Sequence, residues 1–184
     1  MSIKVPDLLA ADCNACESLC CVAVSRKEVD GYKSNCESGE ACANLDITCL
    51  QTGCRVYGIL DQLGWEACHK FDCYGAGPVV KSAFDRLGIS WRKANQVDRE
   101  SLFAFFRLTR FVFNRLARAP NQYRALVSNQ QVEQGLDRAF KSLLLNPLND
   151  DEQMFEVFLI ECPQFLLLPD MNEDVSSSQM IAAE

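Results

Sequence analysis

The stretch RESLFAFFRLTRFVFNRLAR, residues 99–118, decides the fold of this 184-residue chain. Leu102, Phe105, Phe106, Val112, Phe113 and Leu116 recur at helical spacing and make one apolar stripe. Glu100, Arg107, Arg110, Asn114 and Arg118 fall on the opposite side. Phe103 and Phe111 lie off the stripe, toward the charged side, which predicts that this side too is covered, by another part of the chain or by a partner.

Outward from this helix the pattern stays helical. Ser128 followed three residues later by Gln131 predicts a capping box. It opens a helix that runs through Val132, Leu136, Phe140, Leu143 and Leu144 to Asn146-Pro147. Asp150 or Asp151 caps one more, ending near Cys162. Upstream, Pro78 suits the first turn of a helix carrying Val80, Phe84 and Leu87 that stops at Gly88. A short helix is expected over Val56, Ile59, Leu60 and Leu63 with Gly64 as its stop, holding Cys54 and Cys68 apart at its two ends. The expected fold is mainly α. An irregular cysteine-rich module (1–77), closed by the turn Tyr74-Gly-Ala-Gly77, packs on a bundle of about four helices (78–170) as one continuous domain. A polar, acidic tail (171–184) is expected to be mobile.

The chemistry is concentrated at the front. Ten of the eleven cysteines lie in the first 73 residues, beginning with Cys13, Cys16, Cys20 and Cys21 in a CxxCxxxCC run and continuing with Cys42, Cys54, Cys68 and Cys73. Such crowding calls for disulfides or for metal. The count is odd, and the first twelve residues lack the apolar run of a secretory signal, so a reducing, cytoplasmic setting and metal ligation are expected. Thiolates suit zinc, copper(I) and iron–sulfur clusters. The eight thiolates could hold two four-sulfur zinc sites, or one cluster with spare thiols. Cys20 and Cys21 are adjacent, so their side chains are expected to diverge and to serve different metal positions or to bridge. Cys36, Cys49 and Cys162 stand outside this set, Cys162 as a small hydrophobe. His69, the only histidine, is expected to be an exposed neighbour of Cys68 rather than a ligand, and a lone histidine gives triad-type hydrolysis no support.

The net charge of −7 hides three blocks. Residues 1–75 hold 6 basic and 11 acidic side chains, residues 76–149 hold 12 and 5, and residues 150–184 hold none and 9. Blocks of opposite sign pack on each other or meet a partner. Arg107, Arg110 and Arg118, or some of them, are therefore expected to face the thiolate block as counter-charges; the alternative is a docking face for an acidic protein partner. The overall acidity, with a pI near 4.8, disfavours nucleic acid. No stretch approaches the roughly 20 apolar residues of a membrane span.

The order of the cysteines resembles the zinc- or iron-chelating CxxCxxCC (YkgJ-like) family. Cys20-Cys21-Val22-Ala23, Leu63-Gly-Trp-Glu-Ala-Cys68, Phe71-Asp-Cys73-Tyr-Gly-Ala-Gly77, Trp91-Arg92 and Leu102-Phe103-Ala104 are similar to the cysteine-rich leader of some bacterial pentapeptide-repeat proteins. The resemblance spans about residues 12–117, and the repeats themselves are absent. It implies chelation of zinc or iron, an iron–sulfur cluster included, through Cys13, Cys16, Cys20, Cys21, Cys42, Cys54, Cys68 and Cys73, and it implies no agreed reaction. Some relatives with this pattern are protein lysine methylases with much longer chains, so the readings that stand beside a structural metalloprotein are an iron–sulfur enzyme or redox protein and an interaction module using the basic helix. No catalytic constellation and no S-adenosylmethionine fingerprint is present in these residues.

Overall fold

Asn95 starts the central helix: its side chain accepts the Asp98 N–H at 2.9 Å, a single orphan donor satisfied at the first turn. The computed structural model describes residues 3–7, 9–47, 53–147 and 150–169. In chain order it contains α1 (Cys20–Ala23), the two-residue strands β1 (Leu45–Asp46) and β2 (Gly53–Cys54), α2 (Glu66–Lys70), α3 (Ala76–Asp85), α4 (Gln96–Arg118), α5 (Asn121–Arg124), α6 (Asn129–Leu145) and α7 (Asp151–Glu161). Tighter 3-10 turns lie at Cys13–Ala15, Glu28–Asp30, Tyr57–Ile59 and Pro163–Leu167. The protein is mainly α, as the periodicity predicts.

α4 is buried on nearly every side. Leu102, Phe103, Phe105, Phe106, Leu108, Val112, Phe113 and Leu116 are no more than 2% exposed. A helix covered on nearly every side belongs in the middle of a fold, and α4 packs against α3, α6, α7 and α1. Phe105 meets Phe140 of α6 at 5.0 Å between ring centroids, and Phe140 meets Phe84 of α3 edge-on at 5.2 Å. On the other flank Phe111 meets Phe155 of α7 at 5.3 Å and Phe165 at 6.1 Å. The two off-stripe rings are thus accounted for: Phe103 lies beside Trp91, and Phe111 beside the α7 rings.

Both capping boxes form: Ser128 with Gln131 opens α6, and Asp150 with Gln153 opens α7. Gly88 takes the left-handed conformation (φ 72°) just past α3. Two expectations need correction. The boundary drawn at 77 falls inside α3, which begins at Ala76 and carries Pro78 in its first turn. The helix expected over 56–63 is reduced to the 3-10 turn at Tyr57–Ile59. Of its apolar residues only Leu60 is buried, while Ile59 and Leu63 stay exposed, so the stripe finds no surface to pack on. The short helix lies further on, as α2, and carries Cys68.

The irregular segment and the bundle interleave. The Ile3 N–H donates to Asp137 of α6 at 2.8 Å and the Val5 N–H to Glu133 at 3.1 Å, while Ile3 is 1% exposed. Arg107 joins three parts: its Nε and Nη2 donate to both carboxylate oxygens of Asp151 at 2.7 and 2.9 Å, and its Nη1 to Ser38 Oγ at 2.9 Å. The tail residues 171–184 and Cys49 lie outside the described residues. Among the described residues no helix is long and apolar enough to cross a membrane.

Both partners of the Arg107–Asp151 pair are largely buried and the contact is bidentate. A double-mutant cycle of Arg107→Ala and Asp151→Ala in chemical denaturation is expected to give a coupling energy of roughly 1.5–3 kcal/mol. A coupling near zero would show that the pair does not tie the bundle together.

Candidate functional site

The CxxCxxxCC run is held in an unusual backbone. Asp12 caps the turn Cys13–Ala15 by accepting the Asn14 N–H at 3.1 Å. Glu17 and Ser18 then both adopt the left-handed region, at φ 51° and 55°. Each such non-glycine residue costs about 1–3 kcal/mol and persists only where its surroundings impose it. Here the bundle does so: Trp91 Nε1 donates to the Glu17 carbonyl at 3.0 Å, Ser90 Oγ to the Glu17 carboxylate at 2.9 Å, and Lys81 lies 3.7 Å from the same carboxylate. The two left-handed residues turn the chain back on itself, so that Cys20 and Cys21, at the start of α1, face the same space as Cys13 and Cys16.

The later cysteines arrive by separate routes. Cys42 is tied to α1 by its N–H, which donates to the Cys21 carbonyl at 3.0 Å. Cys54 stands opposite Leu45 in the β1–β2 ladder, and Cys68 comes on α2. Cys73 sits in a turn closed by Asp72, which accepts the Tyr74 N–H at 2.7 Å. α3 then starts directly beneath two of the sulfurs. A Cβ on Gly77 would lie 2.6 Å from Cys16 Cβ, 3.2 Å from Cys16 Sγ and 3.9 Å from Cys73 Sγ. The missing side chain is what lets the positive end of this ten-residue helix approach them.

The result is one cavity of about 530 Å³ lined by all eight cysteines read from the sequence. Arg26, Tyr32, Tyr57, Trp65, Phe71 and Phe106 are among the other residues of the wall. Phe106 comes from α4, so the central helix forms part of the cavity as well as the core. Cys36 and Cys162 do not line it; Cys162 is fully buried in the bundle, as a small hydrophobe. His69 is exposed, 3.4 Å from Asp61. Cys13, Cys16, Cys20, Cys21, Cys36, Cys42, Cys54, Cys68, Cys73 and Cys162 are all free thiols.

The spacing of the donors is uneven. Cys20 Sγ and Cys21 Sγ approach to 3.9 Å, which corrects the expectation that adjacent side chains diverge. In a helix neighbours are rotated by about 100° rather than the 180° of a strand, which leaves two short side chains free to turn toward each other. Two ligands of one tetrahedral ion with bonds of about 2.3 Å stand about 3.8 Å apart, so this pair has ligand-like separation. Among the described residues, however, no three Cys, His, Asp or Glu side chains form a group compact enough to hold a single ion.

Electrostatics differs around the wall. Burial pushes the Cys16 and Cys68 thiols up to about 11. Within the Cys20–Cys21 pair the shared hydrogen bond raises Cys20 and lowers Cys21, to about 7, with the Arg26 charge adding to the fall and burial opposing it. Burial alone would lower the Arg26 pKa, but Cys42, Cys36, Cys21 and the hydrogen bond to Cys36 together outweigh it.

Three arginines were expected to face the thiols, and the structure divides them. Arg110 lies against the segment that leads to Cys73 without lining the cavity: its Nε donates to the Asp72 carbonyl at 3.1 Å and its guanidinium lies 4.3 Å from the Phe71 ring centroid. Burial lowers its pKa, and Tyr32, Tyr74, Cys73 and Cys20 act in the opposite direction. Arg107 instead binds Asp151 and Ser38, and Arg118 is half-buried at the end of α4. With Arg107 and Arg110 committed inside the molecule, the reading of the three as a docking face for an acidic protein is not supported. The cation that sequence reasoning missed is Arg26, 4% exposed on the cavity wall. Nothing in its local sequence marks it, because Lys27 beside it carries the same charge and is only half-buried.

No known protein-family profile matches the chain, and no solved structure matches it. Over 97 residues it is 29% identical to the uncharacterized protein YybG of Bacillus subtilis (strain 168). The match covers 53% of this chain and 33% of YybG, so the chain spans about a third of the length of that relative.

Gly77→Ala is expected to destabilise the protein by about 1–3 kcal/mol in chemical denaturation, because the new methyl group must displace Cys16. Gly58→Ala, at a position with nothing within 4 Å of the added Cβ, is the control and should change stability little.

Proposed function

We propose that this chain is a metal–thiolate protein that binds zinc or iron through Cys13, Cys16, Cys20, Cys21, Cys42, Cys54, Cys68 and Cys73, in a centre of more than one metal atom. One observation carries the reading: eight thiols from five separate parts of the chain line a single cavity. Thiols have no reason to gather in this way for packing alone, since a free cysteine is content as an isolated small hydrophobe, as Cys162 is. The donor set is chemically apt, all soft sulfur, and twice the four ligands that one tetrahedral ion takes.

Cavity size and donor spacing support nuclearity above one. The cavity is many times the roughly 30 Å³ that a water molecule occupies in the liquid, and all eight donors line it. An iron–sulfur cluster, which brings its own inorganic atoms, suits such a wall, as do two or more zinc ions sharing thiolates, with Cys20 and Cys21 as the natural bridging pair. The bound metal would neutralise thiolates that burial otherwise keeps protonated, and its binding energy would add to folding. The resemblance to the CxxCxxCC (YkgJ-like) family points the same way, and a reducing, cytoplasmic setting suits a protein with this many free thiols.

A second reading, an iron–sulfur redox protein or enzyme, draws on the accessibility of the cavity: Cys13 and Tyr57 on its wall are exposed, whereas a purely structural site is closed. Protein purified anaerobically is expected to carry zinc or iron by elemental analysis. Brown material with broad visible absorption assigns an iron–sulfur centre, and colourless material with stoichiometric zinc a zinc centre. Replacing Cys20 and Cys21 together by serine is expected to lower the metal content, and Cys162→Ala to leave it unchanged. Absence of any bound transition metal, with no capacity to take one up, would overturn the proposal.

A further inference from the structure

Arg26 is a buried cation with more hydrogen-bonding capacity than its surroundings use. It is 4% exposed, and its Nη2 donates to the Cys21 carbonyl at 3.1 Å, to Cys36 Sγ at 2.8 Å and to the Glu40 carbonyl at 3.2 Å. Its Nε is buried without an acceptor among the described residues. An unmatched donor on a buried charge is costly, and native proteins keep such groups where a further partner is to be met. The Nε is closed to solvent, so bulk water does not serve it, while the residue itself stands on the cavity wall.

The position of Arg26 narrows the choice. The carbonyl of Cys21 accepts both the Cys42 N–H and the Arg26 guanidinium, which fixes Cys21, Cys42 and Arg26 as one unit on the cavity wall. The backbone of Arg26 is tied to the same loop, exchanging two hydrogen bonds of 2.8 Å with Cys36. Cys21 and Cys42 are the cavity-lining cysteines of this unit, whereas Cys36, whose sulfur accepts from Nη2, does not line the cavity. A neutral thiol is a poor acceptor, whereas a thiolate bound to a metal accepts N–H bonds well, and such outer contacts orient ligands and tune the metal.

We propose that Arg26 is the positioning residue of the thiolate centre: its guanidinium holds the Cys21–Cys42 edge in place and donates an N–H···S hydrogen bond to a metal-bound thiolate there, Cys42 or Cys21. This rests on the metal-binding reading above. Arg26 touches the ligands, acts on the metal through them, and is assigned no part in any reaction.

Cobalt(II) is the probe, since its thiolate-to-metal charge-transfer bands report the electron density on sulfur. The full-length wild-type chain, Arg26→Gln and Arg26→Lys are each loaded anaerobically, with helix content checked. Loss of the hydrogen bond raises the energy of the sulfur electrons, so the charge-transfer band of Arg26→Gln should move to longer wavelength and its cobalt should be held roughly tenfold or more weakly in chelator competition. Arg26→Lys keeps the charge without the planar fork and should fall between the two. Should Arg26→Gln fail to fold, the Arg26→Lys comparison decides alone. Variants that fold with an unshifted band and unchanged cobalt affinity overturn the role of Arg26 while leaving the metal centre in place. Wild-type protein that carries no transition metal as purified and takes up no cobalt removes the metal reading, and this inference with it.

Discussion

The burial of α4 on all sides is the constraint from which the rest of the structure follows. A helix whose stripe alone were apolar would rest on one neighbour, but Phe103 and Leu108 are as deeply buried as Phe105 and Phe113. α3, α6 and α7 together do not exhaust that surface; α1 and its flanking loops cover part of the remainder. The irregular segment therefore acquires order by lying on a rigid element rather than through regular hydrogen bonding of its own. Its ladder is two residues long, and α1 is a single turn. A segment so poor in local structure cannot hold eight side chains in place unless something preorganised supports it.

That support appears as a set of specific ties. Trp91, Ser90 and Lys81 hold Glu17 in a backbone conformation it would not choose, Gly77 lets α3 reach the sulfurs of Cys16 and Cys73, and Arg107 joins α4 to both Ser38 and Asp151. Each connects a bundle element to a point within a few residues of a cysteine. Strain at Glu17 and Ser18 is placed between the two halves of the CxxCxxxCC run, where it determines how the halves face each other.

Charge is organised on the same plan. The acidic front block and the basic middle block meet through internal contacts, with Arg26 buried on the cavity wall and Arg110 half-buried against the Asp72 carbonyl. A wall of thiolates needs cations nearby, because burying like charges together is otherwise prohibitive. The two arginines and the positive end of α3 meet that need from the protein side, and a bound metal would meet it from within the cavity.

Much of this was legible in the residues alone. The helical spacing of 99–118, the capping box at Ser128, the cap before the last helix and the stop at Gly88 are local signals, decided by side-chain periodicity and by hydrogen bonds between residues three or four apart, so they could be read directly. The eight cysteines stood out by number and order. Their common cavity was not derivable, since it depends on contacts across tens of residues. The close approach of Cys20 and Cys21 depends on the rotation per residue of a helical turn too short to be recognised beforehand. The loss of the helix over 56–63 and the separate fates of Arg107 and Arg110 were decided by what lies opposite each residue, which no periodicity contains. Arg26 is the clearest case: as a sequence letter it is one of two adjacent basic residues, and only the folded packing of the 36–42 loop against α1 makes it a buried cation at the edge of a thiol-lined cavity.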